Sequence, residues 1–531
     1  MFAPLFLLLA CSPDFADVDG VQIATLTVEP AELILQTTAD GVDPQPFSAV
    51  AELMNGKTVT LEMVEWEVSN ASAGTINGDG LFSPSTENGG VTWVRARFDG
   101  IEAVSEVTLI YSEERNETGI DTALFAAPET SGQTLWSYPV NNVNFPRNTP
   151  GINFQWADMG QSAVRLRFLS SVTDITIYTA GTSWTADEAT WASIAGTNAG
   201  GTVIVELSLA AGGQVLSADP LTLNVNRMDG QGTIYYWSTS ASGIMRVPYG
   251  GSATEYITAS NTGYCVGCHV AKGDTIAYTW DGGNGGMGMR RLSDGAEIMG
   301  YNNTNYGNFK TFSPDGRYLL TTYNGALLLY DGNTGAYLHE VATGGAATHV
   351  DWSPDGTQVA FVFSDSHPCD WTFSGGRIAV MDVIGDGEFG APTVLYDPPD
   401  PYMAYYPAWS PDGDWIAFNL STQDAYDDSD ATLYVMDGAG GTPIALANAN
   451  YSTEITNSWP HWGPLPDDDV LWLAFSSKRA YGNVVSGSPQ IWVAGFDPAL
   501  ASAGQDPTWP AFWLPGQDPS QNNHIPVWTR Q

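Results

Sequence analysis

Basic residues are what this chain has least of. Its 531 residues hold 18 Lys and Arg against 59 Asp and Glu, a formal charge of -41. A surface of that sign repels nucleic acid phosphates and anionic lipid headgroups, so DNA and RNA binding drop out as function classes. The acidity itself reads first as a solvated, self-repelling surface that keeps the protein soluble. Cysteine is nearly as scarce, with 4 in the whole chain, too few and too far apart for a disulfide-stapled scaffold. No apolar run reaches the length of a membrane span. There is no nucleophile elbow, no phosphate-cradling glycine loop and no zinc-protease helix, so an enzyme reading has no named general base or nucleophile. The length is too great for one hydrophobic core and implies two to four domains.

At the start, Phe2 to Ala10 is a short apolar run followed by Cys11. The segment Leu8-Leu9-Ala10-Cys11 resembles the lipobox of bacterial lipoproteins. That resemblance implies cleavage before Cys11, lipidation of its thiol, and membrane attachment through the acyl chains alone. One feature departs from the pattern, because no Lys or Arg precedes the apolar run. The expected organisation is a signal peptide over 1–10, then the lipidated cysteine and a polar tether over 11–20.

From 21 to 112 the sequence alternates apolar and polar residues in short segments, as around Val59, Leu61 and Met63 and around Val91 and Trp93, between Asn, Gly and Pro clusters. That is the pattern of a β-sandwich. Val64 to Asn70, Ala73 to Phe82 and Val91 to Gly100 together resemble the bacterial immunoglobulin-like domain, with Trp66 and Phe82 expected in its core. A linker is expected over 113–142, where the alternation fades. A second sandwich is expected over 143–229, with strands around Ile152 to Trp156, Ala163 to Leu169 and Val203 to Leu207.

The clearest internal signal is a repeat. Phe312-Ser313-Pro314-Asp315-Gly316, Trp352-Ser353-Pro354-Asp355-Gly356 and Trp409-Ser410-Pro411-Asp412-Gly413 each precede an apolar strand. Proline presets the turn and Asp-Gly supplies the reversal, handing one strand to the next. Degenerate copies at Gly273 to Tyr278 and at His461-Trp462-Gly463 bring the units to five. A sixth is expected from the two ends of the domain, with Thr233 to Trp237 and Gly243 to Val247 joining Pro510 to Leu514 and Ile525 to Trp528. Residues 230–531 thus resemble the six-bladed, TolB-like propeller with WD40-like repeats. The expected fold class is all-β: two N-terminal sandwiches followed by a six-bladed β-propeller.

One pentapeptide carries chemistry. Cys265-Val266-Gly267-Cys268-His269 matches the attachment motif of c-type haem, in which two thiols bind the vinyl groups and the histidine ligates iron. The same residues admit a disulfide, or a zinc site completed by Cys369 or another histidine. A redox dithiol would want a helix N-terminus that nothing nearby supplies. Counting back from the repeats, His269 falls where Trp409 sits and Cys268 where Ala408 sits, on the innermost strand of its blade. Candidates for a second iron ligand are His349 and His461 on other inner strands, His367 in a long loop, and Met287 and Met289 in the same blade. His339 and His524 look less suitable. Asp427, Asp428 and Asp430, with Asp467 to Asp469, are oxygen-rich enough to consider calcium, although no complete calcium loop is present. The function expected from these features is a lipid-anchored envelope propeller carrying one haem c for electron transfer or redox sensing, with an envelope redox partner. The alternative is a non-catalytic protein- or glycan-binding lipoprotein whose Cys265 and Cys268 form a disulfide or a structural metal site.

Overall fold

The computed structural model describes residues 16–283, 285–423, 425–465 and 469–530. The expected signal peptide, Cys11, Asp467 and Asp468 lie outside the described residues. Nearly every described element is a strand. No helix among the described residues is long and apolar enough to cross a membrane.

The chain divides into two compact units. Of the described residues, the first takes 16–129, 162–180 and 192–220. Its first sheet is built on Val21–Glu29 and Ser48–Leu53. A longer sheet runs through Glu65–Val68, Gly90–Phe98, Ile101–Asn116, Thr173–Thr179, Ala163–Ser170 and Thr202–Ala211 in that spatial order. Alternation places Val28, Phe47, Ala49, Phe82, Val94, Ala96 and Val107 in one buried cluster, with Trp66 packed against it. The strand Ile101–Asn116 is the unit's spine. Its first part pairs antiparallel with Gly90–Phe98, and Tyr111 to Asn116 pair parallel with Thr173 to Tyr178. Residues 113–116, where the sequence reads as the start of a linker, therefore continue a strand. Glu113 and Arg115, two apart on that strand, join in an ion pair of 2.6 Å.

The second unit takes 130–161, 181–191 and 221–531, so the region expected as a second sandwich contributes to both units. Within the second unit, Trp136–Tyr138, Asn153–Trp156 and Ser183–Thr185 form a small sheet. It is tied to the neighbouring strands by Tyr138, whose hydroxyl accepts the Trp513 amide at 3.2 Å and whose ring meets Tyr481 edge-on at 4.9 Å. The Asn483 amide donates to Gln155 at 2.7 Å.

The rest of this unit holds a propeller of six sheets, five of them with four successively paired strands and the one built on Ala346–Trp352 with five. Blade 1 places Asn523–Thr529 innermost and Thr233–Ser238, Gly243–Pro248 and Thr254–Ile257 outside it. The last described strand thus closes the ring by pairing with the propeller's first strand, Thr233–Ser238. The inner strands of blades 2 to 6 are Val266–Lys272, Lys310–Phe312, Ala346–Trp352, Met403–Trp409 and Ser458–Trp462. One expectation is corrected. Phe512–Trp513 is the outermost strand of blade 6, pairing with Trp492 and Val493, and does not belong to the closing blade. Blade 6 otherwise lacks a fourth strand, and the chain meets that edge before it reaches blade 1.

Five of the six inner strands, all but that of blade 3, are broken by a bulge at the same level. Five left-handed residues mark it: Cys268 (φ 39°), His349 (46°), Tyr406 (51°), Trp459 (62°) and Ile525 (49°). Ladder register shifts at each of these places. Non-glycine residues adopt this conformation at a cost, and bulges re-aim the side chains next to them. A cavity of about 110 Å³ lies at this level, lined by three successive residues from every blade, such as Cys268 to Val270 and His349 to Asp351. A second, larger cavity is lined by later residues of the same strands, such as Val270 to Gly273 and Asp351 to Trp352. All six inner strands therefore run the same way along one channel, and Cys265 belongs to the end where they begin.

Candidate functional site around Cys265, Cys268 and His269

A short helix, Ala259–Thr262, ends on left-handed Gly263 (φ 79°) and delivers Tyr264 and Cys265 to the start of the blade 2 inner strand. Cys265 therefore follows the C-terminus of a helix, whose dipole does not favour a thiolate. Burial, with Asp281 adding to it, pushes the Cys265 thiol up from its ordinary value. Cys268 is also pushed up, chiefly by burial, with Lys310 opposing and Asp370 adding. Both are free thiols. They lie over consecutive left-handed glycines. A Cβ on Gly282 would meet the Cys265 sulfur at 3.3 Å, and one on Gly283 would meet the Cys268 sulfur at 3.5 Å. The glycines thus leave both sulfurs room along one short turn.

His269 is 5 % exposed, and neither ring nitrogen makes a hydrogen bond of ordinary geometry. Burial brings its pKa down to about 3, with the Tyr235 backbone a weaker opposing influence. The ring is therefore neutral at pH 7, as a metal ligand must be. That Tyr235 contact is a loose one, and a buried polar group so poorly satisfied calls for an explanation.

Lys310, which sequence reasoning missed, holds the motif's backbone. Its ammonium donates to the carbonyl of Cys268, to Thr279 Oγ1 at 2.8 Å and to the carbonyl of Asn308 at 2.6 Å. These acceptors are all neutral, and burial lowers the lysine pKa to about 7. The available signal was a lysine in an inner strand, two residues before the Phe312 repeat.

The expected register is off by two residues. Ala271 pairs with Ile276 and Trp409 with Ile416, so Ala271, not His269, occupies the Trp409 position. His269 stands at the level of Pro407, one residue after the bulge. The cause is the turn: between the equivalent positions Ala271 and Thr275 blade 2 has three residues, Lys272 to Asp274, whereas blade 5 has five, Ser410 to Asp414, between Trp409 and Trp415.

The histidine candidates separate by level. His349, at the bulge itself, is buried among Phe309 (4.2 Å between centroids), Tyr406 (4.0 Å) and Phe373 (5.4 Å), with no ring nitrogen in a hydrogen bond of ordinary geometry and only a loose contact to the Asp370 backbone. Burial holds its pKa well below the usual value. His461 lies two residues past its bulge, with its Nδ1 3.0 Å from the Trp462 carbonyl and 3.3 Å from the Trp528 amide. Both line the same small cavity as His269. His367 is engaged elsewhere, with Nε2 2.9 Å from Asp370 Oδ1 and Nδ1 2.9 Å from Ser364 Oγ. Met287 and Met289 are fully buried on the third strand of blade 2, in a cluster with Phe312, Leu319 and Tyr330, and do not line the channel. His339 faces the Gly387 carbonyl at 3.1 Å, while His524 lies near Trp237 and Tyr426.

Cys369 ends a separate hairpin strand, Ser366–Cys369. Among the described residues no three His, Cys, Asp or Glu side chains are grouped to hold a metal. The acidic loop spends its oxygens locally: Asp428 accepts the Gln423 amide at 2.8 Å, Asp430 accepts Thr422 Oγ1 at 2.7 Å, and Asp427 pairs with Lys478 at 2.7 Å.

The donor chemistry fits a covalent haem: two free thiols three residues apart, followed by a neutral imidazole. Enclosure does not. The cavity of about 110 Å³ beside His269 is smaller than the roughly 300–1,000 Å³ of sites that surround a cofactor. What the chain supplies at this level is donors, not a closed pocket.

No family model and no curated protein matches this sequence. Among solved structures, the chain is similar to TolB from Acinetobacter baumannii at 16 % identity and a TM-score of 0.40, covering 61 % of this chain and 79 % of that one. It is similar to a putative TolB from Agrobacterium tumefaciens at 15 % identity and a TM-score of 0.33, covering 56 % and 98 %. Hydrazine synthase from Kuenenia stuttgartiensis matches at 16 % identity and a TM-score of 0.29, covering 43 % and 62 %.

Proposed function

We propose that this protein is a lipid-anchored cell-envelope β-propeller that carries one covalent c-type haem at Cys265, Cys268 and His269, for electron transfer or redox sensing. The observation that carries the reading is the buried, neutral ring of His269, without a hydrogen bond of ordinary geometry, directly after two free thiols that flank Gly282 and Gly283. The group supplies a one-electron iron centre when bound. Of the chain's own residues, the two thiols hold it, His269 offers a ring nitrogen that needs no deprotonation at pH 7, and Lys310 ties down the carbonyl of Cys268. The test uses full-length protein from a host that matures c-type cytochromes. Haem that stays with the polypeptide through acid-acetone extraction is expected, and it should be lost in the double variant C265S/C268S. Fully matured protein without covalent haem would sink the reading. A mass two hydrogens short with no haem would instead favour the disulfide.

Anchoring is a separate part of the proposal and rests on the lipobox-like Leu8 to Cys11. Two or three acyl chains give stable attachment where a single chain is marginal. The anchored protein would face the periplasm from the outer membrane or stand on the cell surface. Replacing Cys11 by Ser should move the protein from the membrane to the soluble fraction with its thermal transition unchanged. Membrane-bound C11S protein would refute lipidation.

A further inference from the structure

At the far end of the channel, away from Cys265, the inner strands and their turns frame a funnel of about 570 Å³. That volume suits a small organic ligand. One repeated position lines it, the third residue after each of the five bulges, Ala271, Trp352, Trp409, Trp462 and Trp528, joined by Phe312 at the end of the unbulged blade 3 strand. Five blades place an aromatic there and blade 2 an alanine.

Asp351 and His461 line both this funnel and the narrower cavity, so they stand at its base. The Asp351 carboxylate braces three blades, accepting Thr311 Oγ1 at 3.1 Å and the Trp409 amide at 2.7 Å. Among the described residues no Lys or Arg forms an ion pair with it. Enclosure raises its pKa to about 6, and the cation acting on it is Lys272. Lys272 is exposed at the rim, as is Arg530, whose Nε donates to the Pro464 carbonyl at 3.1 Å. The funnel therefore carries an unpaired carboxylate at its base, tryptophans along its wall and two cations at its mouth.

We propose that this funnel binds a free amino acid or short peptide, with its ammonium group inward at Asp351 and its carboxylate outward toward Lys272 and Arg530. An enclosed carboxylate is stabilised by a cation brought to it. Aromatic walls favour an organic ammonium over a hydrated metal ion, which would want six or more oxygens where the base offers one carboxylate. The rim cations would repel a simple amine, and a carboxylate on the same ligand answers them. The inference does not depend on haem at the other end.

The test is titration of the full-length protein with L-phenylalanine, phenethylamine and 3-phenylpropionate, read by tryptophan fluorescence and calorimetry. Phenylalanine is expected to bind most tightly, phenethylamine more weakly and phenylpropionate least. D351N should weaken phenylalanine roughly tenfold or more, the scale of one lost charge-assisted contact. K272M, a change at an exposed residue, should weaken phenylalanine while leaving phenethylamine equal or tighter, and it keeps the test open if D351N fails to fold. Phenylpropionate binding as tightly as phenethylamine, no binding of any probe, or a K272M variant that binds all three like wild type would each overturn the proposal.

Discussion

Burial without a hydrogen bond of ordinary geometry recurs among this protein's histidines, and it has a measurable consequence. His349 is neutral in the folded chain because its charged form would sit among aromatic rings without solvent. The unfolded chain takes up a proton near pH 6.5 and the folded chain refuses it far below that, so the unfolded state binds more protons in between. Stability therefore falls as pH drops below about 6.5. His461 and His524 (both about 4) act in the same direction. Asp351, raised to about 6, acts in the opposite one over part of the range. Asparagine tolerates the left-handed backbone at position 349 and does not titrate. In H349N, the loss of unfolding free energy between pH 7 and pH 5 should be smaller than in wild type by about 2 kcal/mol. Urea unfolding at the two pH values checks this, and parallel losses in both proteins would remove His349 from the account. None of this was legible beforehand, since a histidine's identity says nothing of whether its nitrogens find partners.

Among the elements, the Ser-Pro-Asp-Gly turn explains itself once its hydrogen bonds are seen. Ser353 Oγ donates to Asp355 Oδ1 at 2.6 Å and accepts the Gln358 amide at 2.9 Å, and Ser313 repeats the pattern with Asp315 and Tyr318. Gly316, Gly356 and Gly413 all take left-handed φ, between 73° and 82°, which the absence of a Cβ permits. Proline and Asp-Gly were readable as turn chemistry, whereas the serine's double role needed the folded turn. Replacing Ser353 by Ala leaves the Gln358 amide without its acceptor and should cost about 1–3 kcal/mol. Equilibrium urea unfolding should show a lower midpoint with an unchanged slope. An unchanged midpoint would mean that the backbone alone holds the turn. The same comparison explains the two-residue register error at His269. Blade 2 lacks this turn, and counting back from Gly273 as though it were present places every earlier residue wrongly.

For the whole molecule, closure of the ring is the event on which the propeller depends. Asn523 to Thr529 pair with Thr233 to Ser238 across nearly the whole chain length of the domain. Trp528 Nε1 also donates to the Gln231 carbonyl at 2.8 Å. Without that strand, blade 1 has no inner member, and its exposed edge invites pairing with other chains. A chain ending at Gln521 should therefore elute from size-exclusion chromatography as aggregate and lose the cooperative thermal transition. A monomer that melts like wild type would show that five complete blades suffice.

The sequence by itself determined the all-β class and the blade repeat, because strand alternation and turn residues act over neighbours within a few positions. It also singled out Cys265, Cys268 and His269, since their spacing is covalent and survives any fold. It could not place the two unit boundaries. The strand Ile101–Asn116 pairs with both its hairpin partner and Thr173–Thr179, and such a pairing depends on residues more than fifty positions away. Nor could it find Lys310 beneath Cys268, or the funnel around Asp351. Those sites draw residues from all six blades, and only the closed ring brings them to a common level.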